Sequence, residues 1–555
     1  MMDKIRIYCD NLDRYEEFPH GISLERVAEH FQDDLGFRPF NAQVNHCTRD
    51  LGFRLYEPSD VLFASFSDES GMRTYVRTLS FILSKAVADI LPGSKLFIEH
   101  SLSNGYYCQI KNAHIITPGE IVRIKERMES LIAADIPFQA HCERTEEVAA
   151  MFRSMGYQDK ADLLETGGMP YSRYYDLDGY PDHYYGSLTP STGYIGLFGL
   201  EPYLDGALLR IPRRDKPEEL APFVPQPMMR QVFADHDRLL DILQVTHVGS
   251  LNKAIDRNDI STMVQVSEAM QEKQIAAIAD DIAHKYKEGV RVVLISGPSS
   301  SGKTTFCKRL QTQLLTNYIR PYGLSLDDYF INREDTPRDE SGDYDFESLY
   351  ALDLPLFNKD LKQMIAGEEV SLPTYDFTTG MRVYKGNTIQ LKDGDILILE
   401  GIHALNPELI PGVPESSTYK IYVSALTAIG LDAHNRIPST DNRLIRRLVR
   451  DYRYRNYSGL DTLRRWQSVR RGEEKWVFPF QENAHVMFNS AMLYELAVLR
   501  AYAEPILQAI PRNEPEYAEA RRLLRFLSSF RMIPARLLPN NSLMREFLGG
   551  STFHY

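Results

Sequence analysis

The chain has few cysteines, and none of them are paired at a spacing typical of metal sites. Its five cysteines are scattered along 555 residues, and no two form a C-x-x-C motif. Neither a disulfide framework nor a cysteine zinc site is therefore indicated. Isolated thiols are usual where disulfides are kept reduced, so we expect a cytoplasmic protein.

Long apolar runs and an excess of positive charge are also missing. No stretch reaches the ~18 consecutive apolar residues of a membrane span, and residues 1–8 alternate like a strand, without the apolar core of a signal peptide. The formal net charge of −13 argues against broad nucleic-acid binding by the whole chain, although it leaves room for a local basic patch. The composition, 43% apolar and 25% charged, is that of a globular protein with about three or four domains and no membrane contact.

One glycine-rich loop stands out in the second half of the chain. Residues 297–304 read Gly-Pro-Ser-Ser-Ser-Gly-Lys-Thr and match the pattern G-x-x-x-x-G-K-[ST]. A β-branched run over residues 290–296 precedes the loop, and an apolar pattern of helical period over 305–315 follows it. In this setting backbone N–H groups at a helix N-terminus converge on phosphates. The alternative, a serine-rich turn without a ligand, is disfavoured by the context, and we predict that the loop binds a nucleoside triphosphate.

The loop residues have separate expected roles. Lys303 is expected to reach the β- and γ-phosphates and to act in catalysis, and the Thr304 hydroxyl to hold Mg²⁺. The residues predicted to contact ATP in this segment are Gly297, Ser299, Ser300, Ser301, Gly302, Lys303, Thr304 and Thr305.

Two carboxylates follow strand-like runs in the alternating strand and helix pattern of residues 290–490. Asp327 comes after the run 322–326, and Glu400 ends the run 396–399. Catalytic groups of open α/β sheets lie at the carboxyl ends of the strands. We therefore predict that Asp327 accepts the proton of an acceptor hydroxyl and helps to position Mg²⁺, and that Glu400 holds the Mg²⁺ shell.

Arginines and aromatic residues supply the remaining candidates. Arg443, Arg446, Arg447 and Arg450 share one face of a predicted helix. A solvated basic face is one explanation of this pattern, but beside a nucleotide site we favour an arginine lid over the transferred phosphoryl group. Tyr344 with Asp345, and Tyr375 with Phe377, suit base stacking and ribose binding, with core packing as the alternative that stays open.

Five motifs in chain order resemble the uridine kinase and phosphoribulokinase family: the phosphate loop, Asp-Asp-Tyr-Phe at 327–330, Tyr-Asp-Phe at 375–377, Glu-Gly-Ile at 400–402 and Asp-Asn-Arg-Leu-Ile-Arg-Arg at 441–447. The resemblance implies Asp327 as general base, Asp345 at ribose hydroxyls, Tyr375 and Phe377 at the base, and a lid in which Arg443 and Arg446 are catalytic while Arg447 and Arg450 bind ATP. The Tyr-Asp-Phe segment favours the uridine kinase branch. However, Gly380 stands where uridine kinases place a histidine that reads the pyrimidine, so another group must read the base or the substrate differs.

The first half of the chain resembles parts of threonyl-tRNA synthetases. Residues 3–66 resemble the TGS domain, a small β-grasp module. Residues 73–210, including the long helical pattern after Arg73 and the segment Pro-Ser-Thr-Gly at 190–193, resemble the second additional, or editing, domain. That domain binds zinc through an H-x-x-x-H motif and a C-x-x-x-H motif, and the corresponding positions here are Thr74 and Thr78, then Tyr184 and Leu188. None of the four is a good zinc ligand, so we expect neither zinc nor editing chemistry.

These patterns predict a multidomain α/β protein whose C-terminal P-loop kinase has a parallel sheet flanked by helices. Before it we expect a β-grasp domain and an α+β domain like the synthetase editing domain. The predicted boundaries are 1–66 for the TGS-like domain, 67–211 for the editing-like domain, 212–288 for a proline-rich connector and helical linker, 289–490 for the kinase, and 491–555 for a C-terminal helical extension that caps the kinase or forms a contact in a homo-oligomer.

The leading hypothesis is a kinase that uses ATP and Mg²⁺ to phosphorylate the 5′-hydroxyl of a nucleoside. A kinase of another small alcohol, such as a sugar phosphate or pantothenate, is the alternative within the same class. From a different class, an RNA- or tRNA-binding protein with a nucleotide-driven switch is suggested by the synthetase-like half, but it is not favoured because of the acidic charge balance.

Overall fold

The structure is a computed structural model that describes residues 4–111, 114–339 and 342–554. Residues 1–3 of the predicted first strand and residue 555 of the predicted extension lie outside the described residues. The protein is a multidomain α/β protein, as predicted. Among the described residues, every helix is too short or too polar to cross a membrane.

The first module is a five-stranded mixed sheet with a helix packed on it. In sheet order the strands are Arg14–Pro19, Lys4–Cys9, Ser59–Ala64, Asn41–Val44 and Cys47–Arg49, beside a short pair Ile22–Ser23 and Arg54–Leu55. Two helices follow the first hairpin, Leu24–His30 and Gln32–Leu35. The longer helix is capped at its start by Ser23, whose hydroxyl accepts a hydrogen bond from Arg26 N at 3.4 Å.

The second module packs a long helix, Glu69–Ile90, against an antiparallel sheet. The four strands of this sheet are Gly199–Tyr203, Gly206–Arg210, Gly105–Lys111 and Lys95–Leu102. A three-stranded sheet follows, formed by Gln139–Arg144, Tyr171–Leu177 and Tyr180–Asp182. The remaining helices are Pro118–Ala133, Thr145–Ser154 and Gln158–Gly167, with a 3₁₀ turn at Thr192–Tyr194.

The positions of the lost zinc motifs lie in this module and make other contacts. Thr74 Oγ1 accepts a hydrogen bond from Asn41 Nδ2 at 2.9 Å, and Thr78 Oγ1 accepts one from Thr189 N at 3.1 Å. Tyr184 and Leu188 are buried in the apolar core of the module. Thr74 therefore links this module to the first one, and Thr78, Tyr184 and Leu188 stabilise the module itself through a hydrogen bond and packing.

The third module is the parallel sheet that carries the glycine-rich loop. Its five strands, all parallel, are ordered Arg320–Ser325, Asp395–Glu400, Val292–Ser296, Thr418–Ser424 and Val486–Asn489. Helices cover both faces. Ile260–Lys287 and Lys303–Thr316 share an apolar cluster with one face, and Pro227–Leu243 and Leu354–Ile365 share one with the other. The helix Pro227–Leu243 begins within the stretch predicted as an extended connector, with its Pro227 at the first turn, where a missing N–H costs nothing.

Further elements of this part are short strands and helices around the sheet. They are the helix Val248–Asp256, the strand pairs Val370–Ser371 with Thr388–Ile389 and Thr374–Asp376 with Met381–Val383, and the helices Ser439–Tyr454, Gly459–Trp476, Glu495–Gln508, Tyr517–Leu527 and Arg545–Leu548. The 3₁₀ turns are Leu326–Tyr329, Arg333–Asp335, Leu349–Ala351, Glu415–Ser417, Phe478–Asn483 and Ala535–Leu537. The last three helices pack with Ser439–Tyr454, which we call the arginine helix, in one apolar core.

A buried ionic cluster joins the synthetase-like module to the sheet module. Lys160 Nζ lies 2.8 Å from Asp182 Oδ1 and 3.2 Å from Asp432 Oδ1, and His434 Nδ1 lies 2.7 Å from Asp182 Oδ2. Burial raises the pKa of Asp182, but His434 and Lys160 outweigh it and lower the pKa overall. Since breaking such a pair leaves an uncompensated buried charge, the cluster ties the two halves firmly together.

Candidate active site

The glycine-rich loop connects a fully buried strand to a helix, as its sequence context predicts. Gly297 lies so close to the Val423 carbonyl that a Cβ would collide with it, which explains why glycine is required there. Gly302 has a φ of 85° and lies against Leu543. The Lys303 ammonium is held inside the loop by the Pro298 carbonyl at 3.2 Å. The loop is therefore preformed, with its lysine next to its backbone.

Strand register places the two predicted carboxylates beside this loop. Glu400 pairs with Ile295 on one side and with Ser325 on the other, and Asp327 lies in the 3₁₀ turn that follows Ser325. Burial is the main cause that raises the pKa of Glu400 to about 7; Lys303 lowers it, Asp327 raises it, and a hydrogen bond from Thr304 lowers it. The structure thus brings Lys303, Thr304, Asp327 and Glu400 into one electrostatic neighbourhood.

The oxygen donors among these residues suit a magnesium ion that is also bound by the phosphates of a nucleotide. The Thr304 hydroxyl and the carboxylates of Glu400 and Asp327 are oxygen donors, which Mg²⁺ prefers, and Mg²⁺ commonly keeps waters and phosphate oxygens as its other ligands. Within the described ranges, no group of three His, Cys, Asp or Glu side chains is arranged to hold a metal ion by itself. The site is suited to a metal that arrives with its nucleotide.

The raised pKa of Glu400 gives a pH-dependence for nucleotide binding. Below about pH 7 Glu400 is protonated in the free protein, and a proton must leave before its carboxylate can serve Mg²⁺. We expect the affinity for Mg²⁺–ATP to rise with pH up to about 7, by at most about tenfold per pH unit, and then to level off. Titration calorimetry from pH 6 to 8 measures this slope.

The control separates Glu400 from other groups that titrate in the same range. Burial also raises the pKa of Glu347 to about 7, and the phosphates of ATP ionise there as well. The prediction therefore concerns the difference between the wild type and Glu400→Gln, which lacks the titrating carboxyl. Equal slopes in the two proteins would contradict it.

The arginine helix contacts the loop, but its first two arginines are not arranged as a lid. Arg443 forms an ion pair with Glu473 and donates to the Ser299 carbonyl at 3.1 Å. Arg446 is fully buried, pairs with Glu495 and donates to the Ser300 carbonyl at 3.4 Å. Both guanidinium groups therefore brace the backbone of the loop, and ion pairs with buried carboxylates oppose their movement over the phosphates.

The other two predicted arginines lie nearer to solvent on the same helix. Arg447 donates to Ser299 Oγ at 2.7 Å and lies 3.2 Å from Asp451. Arg450 lies 2.8 Å from Asp451 Oδ1. Arg447 contacts the loop directly, whereas Arg450 reaches no loop atom through these bonds.

The aromatic candidates form a cluster beside the turn that carries Asp327. The rings of Tyr375 and Phe377 are 5.1 Å apart, and Phe330 lies 5.4 Å from Tyr375. Asp328 Oδ1 accepts a hydrogen bond from Tyr375 N at 3.3 Å and so ties the cluster to the turn. The Arg455 guanidinium lies over the Phe377 ring at 4.8 Å, and 41% of this residue is exposed, so part of the ring is left for stacking.

The second candidate pair lies on another segment. Tyr344 packs against the Arg338 guanidinium at 4.4 Å and against Phe346 at 5.7 Å. Asp345 is partly buried, and burial raises its pKa above the usual value. Two residues later, Glu347 packs against Gly472 and interacts electrostatically with Arg447, Asp327 and Lys303. This segment therefore borders the same site.

Four residues at the site were missed by sequence reasoning. Glu473 binds Arg443 and accepts a hydrogen bond from Ser299 N at 2.9 Å. Arg333 lies over Gly380, where its Nε would be 2.7 Å from an added Cβ, and donates to the Phe377 carbonyl at 2.8 Å. Glu347 and Glu546 complete the set. No motif marks any of the four, because each reaches the site by tertiary packing.

Comparison with known proteins assigns the third module to a family. Residues 292–496 match the phosphoribulokinase / uridine kinase family. The uridine kinase of Ureaplasma parvum is 27% identical over 196 residues, which are 35% of this chain and 86% of that protein. The structure of a possible uridine kinase from Bacillus stearothermophilus is 22% identical and covers 38% of this chain and 97% of its own, with a TM-score of 0.26. Because of the match over residues 292–496, the C-terminal part of the chain is a P-loop kinase domain of this family.

The N-terminal region is similar to a different group of proteins. The threonine–tRNA ligase of Syntrophomonas wolfei is 30% identical over 149 residues, which are 27% of this chain and 24% of the ligase. The chain thus spans about a quarter of the length of this relative. The chain is a fusion of a kinase domain with regions similar to threonine–tRNA ligases.

Proposed function

We propose that this protein is a nucleoside kinase that transfers the γ-phosphate of ATP to the 5′-hydroxyl of a nucleoside, with Mg²⁺. The observation that carries the proposal is the meeting of Lys303, Thr304, Asp327 and Glu400 at the carboxyl ends of three adjacent parallel strands. The similarity of residues 292–496 to a family that includes uridine kinases supports the choice of acceptor.

The proposed roles of the residues follow from the charges that develop on the phosphate oxygens and on the acceptor hydroxyl during phosphoryl transfer. Mg²⁺ bound with the nucleotide would neutralise phosphate charge. Asp327 accepts the proton of the acceptor hydroxyl as the hydroxyl oxygen attacks the γ-phosphorus, the bond from this phosphorus to the β–γ bridging oxygen breaks, and ADP leaves. Lys303 stabilises the charge on the phosphate oxygens. Arg443 and Arg446 keep the loop backbone in place, and Arg447 is the arginine best placed to reach a bound phosphate. Positioning supplies most of the rate, since phosphoryl transfer needs little covalent chemistry from the protein.

The acceptor is bound on the other side of the Asp327 turn in this proposal. Phe377 stacks on the base, Asp345 accepts hydrogen bonds from ribose hydroxyls, and Tyr344 and Tyr375 pack at the edges of the pocket. Arg333 takes the place of the histidine missing at Gly380, because its guanidinium fills the space next to that glycine and carries donors suited to a pyrimidine carbonyl.

The test is ADP release from ATP and Mg²⁺ over a panel of nucleosides, sugar phosphates and pantothenate. We expect turnover that depends on a pyrimidine nucleoside. Turnover with only a sugar phosphate or pantothenate would reject the nucleoside and keep the kinase. No turnover with any compound, although ATP binds, would reject the enzyme and favour the second candidate.

The second candidate is an RNA-binding protein whose kinase domain acts as a nucleotide-dependent switch. Its specific support is the similarity to threonine–tRNA ligases, together with the Lys160 cluster that ties this half to the kinase domain. Filter binding of tRNA and of unrelated RNA by the full chain tests it. Selective tRNA binding would support this function, and weak binding without preference that disappears with rising salt would reject it.

A further inference from the structure

The C-terminal segment of the chain reaches the glycine-rich loop. Its short helix, Arg545–Leu548, is anchored by Leu543 and Phe547, both fully buried in the same apolar cluster as Phe306 of the helix that follows the loop. Leu543 also lies against Gly302, and the Arg446 guanidinium lies over the Phe547 ring at 5.0 Å. The segment is therefore held in a defined position beside the loop.

Glu546 projects from this segment onto the first turn of the helix after the loop. Its Oε2 accepts hydrogen bonds from Thr305 N at 3.1 Å and from Thr305 Oγ1 at 2.7 Å. The first N–H groups of a helix have no partner within the helix, and in phosphate-binding loops they are donors to phosphate oxygens. The Glu546 carboxylate thus binds donors that a nucleotide phosphate requires.

A second carboxylate, Glu473, also contacts the loop, but unlike Glu546 it is paired with arginines. Glu473 accepts from Ser299 N, but it is neutralised by ion pairs with Arg443 and Arg470, so it belongs to the scaffold of the loop. For Glu546, the described ranges contain no arginine or lysine in an ion pair with it; its bonds are those to Thr305. Its negative charge also contributes to the raised pKa of Glu400. Arg450 interacts electrostatically with Glu546 but forms no ion pair with it, so Glu546 adds a carboxylate without a directly paired cation at a site for anions.

We propose that the segment 543–550 is an autoinhibitory element, in which the Glu546 carboxylate takes the place of a nucleotide phosphate at Thr305. The carboxylate and a phosphate cannot accept from the same donors, and two anions at this distance repel each other. Nucleotide binding and docking of Glu546 are mutually exclusive. This inference rests on ATP binding at the loop, as proposed above, but not on the identity of the acceptor.

The competition lowers the apparent affinity for ATP in proportion to the docked fraction. If Glu546 is docked in about nine molecules of ten, the apparent Kd for ATP is about tenfold above the intrinsic one. Glu546→Gln keeps the shape of the side chain and removes the charge, and Glu546→Ala removes both the charge and the hydrogen bonds. Glu514→Gln is the matched control, because Glu514 is a partly exposed carboxylate in the same C-terminal region whose ion-pair partner is Arg464 and not a residue of the loop.

Titration calorimetry of each full-length protein with ATP and Mg²⁺ tests the inference. We expect ATP to bind about tenfold more tightly to Glu546→Gln and at least as tightly to Glu546→Ala, while Glu514→Gln binds like the wild type. Unchanged or weaker binding in either folded Glu546 variant would overturn the autoinhibitory role and leave the proposed function standing. Absence of ATP binding in the wild type and in both variants would overturn the inference together with the proposed function.

Discussion

Replacement of Lys303 by alanine is expected to abolish turnover. The Lys303 ammonium is buried inside the loop, is held there by the Pro298 carbonyl at 3.2 Å, and lowers the pKa of Glu400 by its charge. Without it, no group in this position neutralises the charge of the transferred phosphoryl group. Since single groups that stabilise transition-state charge contribute about 10³-fold or more to the rate, we expect kcat/KM to fall by about that factor.

The control for this loss is Lys308→Ala. Lys308 lies on the same helix but outside the loop, so its replacement changes the charge equally without removing a group from the site. We expect Lys308→Ala to keep kcat/KM within about threefold of the wild type, as is usual for a residue outside the catalytic machinery. Steady-state ADP release measures both. If Lys303→Ala retained more than about a tenth of the wild-type kcat/KM, the phosphate-binding role of the loop would be wrong.

The sheet and its carboxylates were accessible from sequence because they depend on local patterns. A buried strand, a glycine loop and a helix are adjacent in the chain, and parallel strands place their carboxyl ends at one edge. This is why Asp327 and Glu400, read as residues that end strands, lie near Lys303 in the structure. The short apolar runs that form such fully buried strands are visible in the sequence without help from distant parts of the chain.

The environment of the arginine helix could not be predicted from such local patterns. Its periodicity correctly predicts that four arginines share a face, but periodicity does not distinguish a solvated face from a buried one. The deciding partners, Glu473 and Glu495, come 30 and 49 residues after Arg443 and Arg446. Once these carboxylates are present, burial of the guanidinium groups is tolerated, and the first two arginines support the loop instead of covering it.

Several contacts at this site join residues that are far apart in the chain, so local sequence patterns do not predict them. Glu546 and Thr305 are 241 residues apart, and Arg333 meets Gly380 only because two short segments fold together. A glycine in place of an expected histidine shows that something is missing, but it does not show which side chain fills the space. Such information is contained in tertiary packing.

Asp327→Asn is expected to lower kcat by about 10²- to 10⁴-fold while the Kd for ATP changes little. The substitution removes the general base, but it removes no phosphate contact and keeps a side-chain oxygen that can serve Mg²⁺. Asp327 lies in a turn with its backbone N–H bonded to Ser325 Oγ at 3.3 Å, so the isosteric amide fits the same conformation. Single-turnover kinetics with saturating ATP and acceptor measure the chemical step, and calorimetry measures ATP binding.

The neighbouring carboxylate provides a matched comparison that separates the proton acceptor from a residue that only orders the acceptor pocket. Asp328 Oδ1 accepts a hydrogen bond from Tyr375 N, so Asp328→Ala, which removes this acceptor, is expected to raise the KM for the acceptor substrate and to leave kcat within about threefold of the wild type. The variant at Asp327 should therefore change kcat, and the variant at Asp328 should change the KM for the acceptor substrate. Full kcat in Asp327→Asn, or an equal loss of kcat in both variants, would refute Asp327 as the base and direct attention to Glu347. Burial raises the pKa of this carboxyl to about 7, and it lies within the electrostatic reach of both Asp327 and Lys303.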